Sequence, residues 1–306
     1  MKKNIYGFAI IIIFFMGTFA SLATESSYIK NSYNKPQEIY SNRKASEIEL
    51  INREAEKLYA AELKPIISDL AKANLGASSL EYLFQATKVL IFYNPQIKYV
   101  EDMQKILNYL DLKKIIKKPH YVELQEAYIA TRQFDKASSM VEKQKLDYLQ
   151  EIPKITTEVG LLDDQPTILV PENSHLIHRA FNIPKKGPYI LVISNPLCGF
   201  SARAAEYISK DKRLREVFSN YSLWLSPPSG DLQLESYQNW KKSYPKLAVG
   251  LMHNTPPWPK LDTSQTPVFY FFLDGNLYQS LIGWPRDGAH IKALNGALVD
   301  IGLLKN

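Results

Sequence analysis

Apolar residues change their spacing about half-way along this chain, and that change limits the fold more than any other feature. From Gln37 to about Leu149 they recur at helical intervals: Ile48, Ile51, Ala55, Leu58 and Leu63, then Leu80, Leu83, Phe84, Val89 and Leu90. Asn74-Leu75-Gly76 and Asn94-Pro95 read as helix stops, Ser78-Ser79 as a start, and Pro119 as a helix-opening proline. Further helices are predicted from Tyr99 to Lys117, Pro119 to Thr131 and Phe134 to Leu149. After Pro188 short apolar runs alternate with helical patterns instead. Tyr189 to Ile193, Tyr221 to Leu225 and Val268 to Leu273 read as strands, and Leu277 to Ile282 returns as a hairpin around Asp274-Gly275-Asn276. Gly199 to Ser209, Asp211 to Ser219, Leu232 to Tyr244 and Asp287 to Leu304 read as helices. The chain therefore predicts an all-α N-terminal domain and an α/β C-terminal domain whose mixed sheet is flanked by helices.

The ends and joints follow. Lys2 and Lys3, an uncharged apolar run from about Ile5 to Phe19, and Ser21-Leu22-Ala23 have the form of a secretory signal cleaved after Ala23. Export, to a periplasm, is the expectation. The alternative is an uncleaved anchor, since Tyr6 to Ala23 approaches a bilayer-spanning length, and it is the one expected route to a membrane. The expected organisation is a signal at residues 1–23, a flexible lead at 24–36 and the α-helical domain at 37–150. A connector at 151–187 follows, then the α/β domain at 188–306 with an insertion at about 227–261. Within the connector, Thr167 to Val170 is a candidate first strand and Ser174 to Phe181 a candidate helix.

At 306 residues with 45% hydrophobic and 22% charged residues, the chain has the profile of a globular protein with cores of its own. Staples are excluded, because Cys198 is the only cysteine. The formal net charge of +6 comes from scattered basic residues, with one run at Lys113, Lys114, Lys117 and Lys118. A solvated helix end explains that run, and no clustered basic and aromatic surface points to nucleic acid.

Within the helical half, Leu124-Gln-Glu-Ala127-Tyr128-Ile-Ala130 followed by Arg132-Gln-Phe134-Asp135-Lys-Ala137 resembles the central turn of a tetratricopeptide repeat. Small residues at Ala127, Ala130 and Ala137 would let two helices approach closely. One copy supports a helical hairpin and hints at a peptide-binding groove.

The C-terminal order of strand, cysteine, helix, strand, helix, Thr-Pro, hairpin, helix resembles the thioredoxin-like superfamily. The residues carrying the likeness are Cys198-Gly199-Phe200-Ser201 after the first strand, Thr266-Pro267 before Val268, and Gly283 closing the hairpin. The resemblance implies that Pro267 is a cis-proline facing Cys198, with Thr266 and Pro267 binding substrate backbone. This chain departs from redox-active relatives: Ser201 replaces the resolving cysteine, Leu197 stands where an aromatic residue is frequent, and no acid lies near Val192. Cys-Gly-Phe-Ser is also the motif of monothiol glutaredoxins, which bind glutathione and an iron–sulfur cluster. Export and the missing Gly-Gly and acidic residues after Thr266 argue against that reading. The Pro-x-x-x-Thr-x-x-Cys pattern of peroxiredoxins is absent, since Leu191 and Asn195 occupy its positions.

A thiol on the first turn of a helix is drawn toward thiolate by free N–H groups. Ser201, on the same turn, could donate to it. With no second cysteine, net oxidation through an internal dithiol is excluded, leaving attack on a substrate disulfide to form a mixed disulfide. Cys198 and Ser201 are thus the candidate catalytic pair. Thiol–disulfide exchange with exported proteins or peptides is the leading function. The alternative is a non-catalytic adaptor that binds partners through its helical domain and thioredoxin groove, with Cys198 a retained residue. No cofactor is implied. His175 and His178 could share a helix face but lack a third metal ligand, so no metal is implied either. His253 could approach Cys198 as a base, and Trp258 and Trp284 could line a groove beside Pro267.

Overall fold

A computed structural model describes residue 30 and residues 34–39, 48–144, 146–162, 165–253, 258 and 261–305. The signal at 1–23, most of the lead, and Pro256, Pro257 and Pro259 lie outside the described residues. The chain forms two compact units, Met1–Thr131 and Arg132–Asn306. Among the described residues no helix is long and apolar enough to cross a membrane.

The first unit is helical. Ile48–Leu58 runs through a π turn at Tyr59–Leu63 into Lys64–Ser68 and Leu70–Ala73. Its buried stripe is Ile51, Ala55, Tyr59, Leu63 and Ile67, a strict spacing of four. A regular α-helix repeats every ~3.6 residues, so such a stripe drifts around it. The wider π turn takes up that drift and keeps the stripe on one side. Leu70–Ala73 ends on Asn74 in the left-handed region, φ 45°. Ala77–Tyr93, Ile97–Leu112 and Lys118–Ala130 then pack on one another around Leu83, Phe84, Tyr99, Ile106 and Leu124, with Pro119 in the first turn of the last helix. The two helices that the repeat-like turn joins, Lys118–Ala130 and Phe134–Gln144, fall in different units.

The second unit is built on one eight-stranded sheet. The strands are β1 (Ile155–Thr157), β2 (Thr167–Glu172), β3 (His175–Ala180), β4 (Pro188–Ile193), β5 (Ser222–Ser226), β6 (Val249–Met252), β7 (Val268–Leu273) and β8 (Asn276–Ile282), in the spatial order β1-β3-β2-β6-β5-β4-β7-β8. Helices Gly199–Lys210 and Lys212–Tyr221 connect β4 to its parallel neighbour β5. β7 runs antiparallel to β4 and to β8, and Ala289–Asp300 follows. A parallel βαβ unit extended by an antiparallel hairpin and helix is the thioredoxin-like fold. The segment expected as an insertion contributes helix Leu234–Ser243 and β6, which joins β5 to β2.

Alternation explains the burial. Leu191, Ile193, Leu223, Leu225, Val268, Tyr270 and Phe272 share one face with Ile168, Met252 and Trp258. The intervening Trp224 and Phe269 meet Phe218 and Trp240 from the helices on the other face. β4 reads as a continuous apolar run because both of its faces are covered.

One expected helix is a strand. Ser174 to Phe181 was predicted helical, but His175–Ala180 forms β3, paired antiparallel with β2 from Thr167↔Ala180 to Glu172↔His175. The cause is the two-residue turn Asn173-Ser174, with Asn173 at φ 49°, which returns the chain on itself. His175 and His178 consequently share no helix face; three residues apart on a strand, they point to opposite sides. Sequence also passed over β1 and β6, which are three and four residues long.

Candidate functional site

The turn Asn195-Pro196-Leu197 delivers Cys198 from the end of β4 to the start of a helix. Asn195 Oδ1 accepts from Leu197 N at 2.8 Å, and Asn195 O accepts from Cys198 N at 2.9 Å. Cys198 is the N-cap of Gly199–Lys210, with φ −79° and ψ 114°, and its carbonyl accepts from Ala202 N at 2.9 Å. Its side chain is half-buried, between Leu197 and Phe200, which are 66% and 51% exposed. Cys198 is therefore partly accessible between two exposed side chains, while its proton equilibrium is set by protein groups.

Those groups pull in two directions. Burial pushes the Cys198 thiol up, but the Thr266 hydroxyl, the N–H and hydroxyl of Ser201 and the N–H of Phe200 outweigh it, and the thiol sits below its ordinary value. The Thr266 carbonyl opposes them, accepting from the Cys198 thiol at 3.3 Å and so favouring the protonated form. The donors are the more numerous, and three belong to the helix end, where the dipole also favours an anion. Cys198 makes no capping hydrogen bond of strict geometry, so the N–H groups act on its sulfur as dipoles.

Ser201 is fully buried. Its Oγ accepts from Asn195 N at 3.4 Å, which turns its own proton toward the sulfur. Ser201→Ala removes one charge-assisted hydrogen bond, about 1.5 kcal/mol, from the thiolate and should raise the Cys198 pKa. Thiolate then falls about tenfold below the midpoint, but the more basic thiolate is about threefold more nucleophilic. The variant should thus alkylate about threefold more slowly below the midpoint and about threefold faster above both midpoints. Iodoacetamide rates across pH check this crossing, and parallel profiles would sink the hydroxyl's role.

Opposite the sulfur, the Thr266–Pro267 peptide is cis. Pro267 is buried, and its carbonyl accepts from Gly283 N at 2.7 Å, where Gly283 adopts φ 83°. Asp262 fixes the preceding loop by accepting from Ser264 N at 2.9 Å and Gln265 Nε2 at 3.0 Å. Ser264 and Gln265 stay exposed beside the cysteine's partner loop.

No protein-family model matches the chain, and no curated protein does. Among solved structures, the chain resembles the solution structure of a candidate thioredoxin from Neisseria meningitidis. The identity is 14% and the TM-score 0.29, over 46% of this chain and 93% of that one. A likeness of that size carries no weight, and the strand order alone establishes the fold.

Of the residues singled out from sequence, Cys198, Ser201 and Thr266 come together, with Pro267 adjoining. The described contacts of His253 lie elsewhere: its ring stacks on His178 with centroids 3.9 Å apart, and its Nδ1 is 3.3 Å from Thr167 Oγ1. Burial first, then the neighbouring His178 and Arg132, push His253 down to about 3, so it is neutral at ordinary pH. No group of three or more candidate metal ligands occurs among the described residues. Trp258 stacks on Phe181, and Trp284 packs on Tyr207 and Phe269; both are core residues. Sequence reasoning missed Arg203, whose guanidinium lies over the Phe200 ring at 4.5 Å.

Proposed function

We propose that this protein is an exported monothiol thioredoxin-like protein that exchanges thiols and disulfides with envelope proteins through a mixed disulfide on Cys198. One observation carries the reading: an accessible cysteine at a helix N-cap whose surroundings lower its pKa. Cys198 is the nucleophile, Ser201 stabilises its thiolate, and the Thr266–Pro267 backbone receives the client chain. Because Ser201 replaces the resolving cysteine, an external thiol or a second client thiol must release the client. Alkylation of the folded protein by iodoacetamide tests this across pH. The expected midpoint lies below the ordinary ~8.5 of a free thiol. A midpoint at or above it, or reaction only after denaturation, would overturn the exchange reading.

A second reading is favoured by Phe92 and Ile97, 76% and 52% exposed on either side of one interhelical turn in the first unit. There the helical unit would bind partners, and the protein would serve as an adaptor. Capture of partners that survives loss of Cys198 would favour it.

A further inference from the structure

Arg203 lies on the same helix as the nucleophile, and helical side chains lean back toward the N-terminus. Its guanidinium stacks on Phe200 at 4.5 Å, and Arg203 Nη1 would stand 3.6 Å from a Cβ placed on Gly199. The cation thus lies against the two residues that follow Cys198. Helix stability does not explain that position, because a cation beside the N-terminal turn opposes the helix dipole. Ion pairing does not explain it either. Glu206, three residues on, is paired with Lys210 at 2.5 Å, and no carboxylate pairs with Arg203 among the described residues. Its Nε is buried with no hydrogen-bond partner among the described residues. The ring beneath it is half-exposed, so cation and ring present a partly open face on the two residues that follow Cys198.

We infer that Arg203 is a specificity residue that directs Cys198 to disulfides bearing a carboxylate beside the reacting sulfur. The inference rests on the exchange reading. The guanidinium offers a planar, permanently charged fork that matches a carboxylate, and Phe200 holds it in place. In the reaction, the Cys198 thiolate attacks one sulfur of R–S–S–R. The Sγ–S bond forms as the S–S bond breaks, and RS⁻ leaves with the electron pair. A second thiol then attacks the mixed disulfide and frees the Cys198 thiolate. Arg203 holds the carboxylate of R during the first attack. A small anionic disulfide and a peptide disulfide flanked by acidic residues share this chemistry.

The test measures mixed-disulfide formation on the purified protein by mass spectrometry. The small probes are dithiodiglycolate, hydroxyethyl disulfide and cystamine, which are anionic, neutral and cationic. Peptide disulfides with Glu or Lys before the cysteine are run beside them, and each rate is divided by that of a small model thiol. The anionic-to-cationic ratio should be about tenfold, and should fall to about twofold in Arg203→Gln. High salt, about 0.5 M, should collapse it in the wild type without any substitution, and Arg203→Lys, which keeps the charge but not the planar fork, should keep only part of it. A larger ratio with peptides than with small probes would assign a protein client; equal ratios would assign charge alone, and both support the role. Equal normalised rates for every charge in the wild type would overturn the role of Arg203 while exchange stands. Failure to react with any disulfide would overturn the exchange reading as well.

Discussion

Replacing Cys198 with serine is expected to drop mixed-disulfide formation to the uncatalysed background while leaving the fold intact. No other thiol exists in the chain to take over. A serine hydroxyl at the same place has no accessible anionic form near neutral pH, so the N–H groups and the Thr266 hydroxyl have no charge to stabilise. Stability should change by less than about 1 kcal/mol, because the site is half-exposed and a serine can still donate to the Thr266 carbonyl. The measurement is non-reducing electrophoresis and mass spectrometry of partners trapped by the wild type and by Cys198→Ser. Partners that appear with the wild type alone, and vanish on reduction, fit the exchange reading. Equal capture by both proteins would remove it and leave the adaptor.

Much of this site was legible because it is local. The run Tyr189 to Ile193 is buried on both faces and so reads as a strand, and Gly199 to Lys210 carries a helical period directly behind the cysteine. Thr266-Pro267 before an aromatic strand, and Gly283 with φ 83° after the hairpin, are features of single turns that residue type alone suggests. What escaped depends on pairing across distance. β6 is four residues long with Gly250 inside it, and it becomes a strand only because β5 and β2 stand on either side. His175–Ala180 reads as a helix unless Asn173-Ser174 is recognised as a hairpin turn, and that one turn decides the period assigned to the segment directly after it. His178 finds His253 rather than His175, since strand pairing places them. Arg203 stands at an ordinary helical position in the sequence. Its significance lies in what it lacks among the described residues, a carboxylate partner, and that is visible only once its neighbours are placed.

In the helical unit, Asp102→Ala is expected to destabilise by about 2–4 kcal/mol. Asp102 is fully buried and accepts from Tyr59 Oη at 2.6 Å, Lys64 Nζ at 2.9 Å and Lys105 Nζ at 2.8 Å. The two lysines are about half-exposed, so each can turn to water when the carboxylate is gone and accounts for little of the loss. Tyr59 cannot. It is buried in the π turn with its ring edge-on to Tyr99 at 4.7 Å, and its hydroxyl would be left without its acceptor. The larger part of the cost therefore comes from that one hydroxyl and from the space left by the carboxylate. Asp102→Asn keeps an acceptor oxygen and the volume, and should lose about half as much. The pH dependence follows from the carboxyl itself. Burial pushes it up, but the hydrogen bonds from Lys105, Tyr59 and Lys64 outweigh that and hold it below its ordinary value. A carboxylate with a depressed folded pKa stabilises above its unfolded value, about 3.9, and ceases to do so as pH falls through the folded one. The gap between wild type and Asp102→Asn should therefore be constant near neutrality and close below about pH 4. Hydrogen exchange in Ile48–Leu58 and Ile97–Leu112, followed from neutral to acid pH, reads both effects within this unit. A loss under about 1 kcal/mol in Asp102→Ala, or a gap that persists in acid, would show that the buried carboxylate does not hold these helices together.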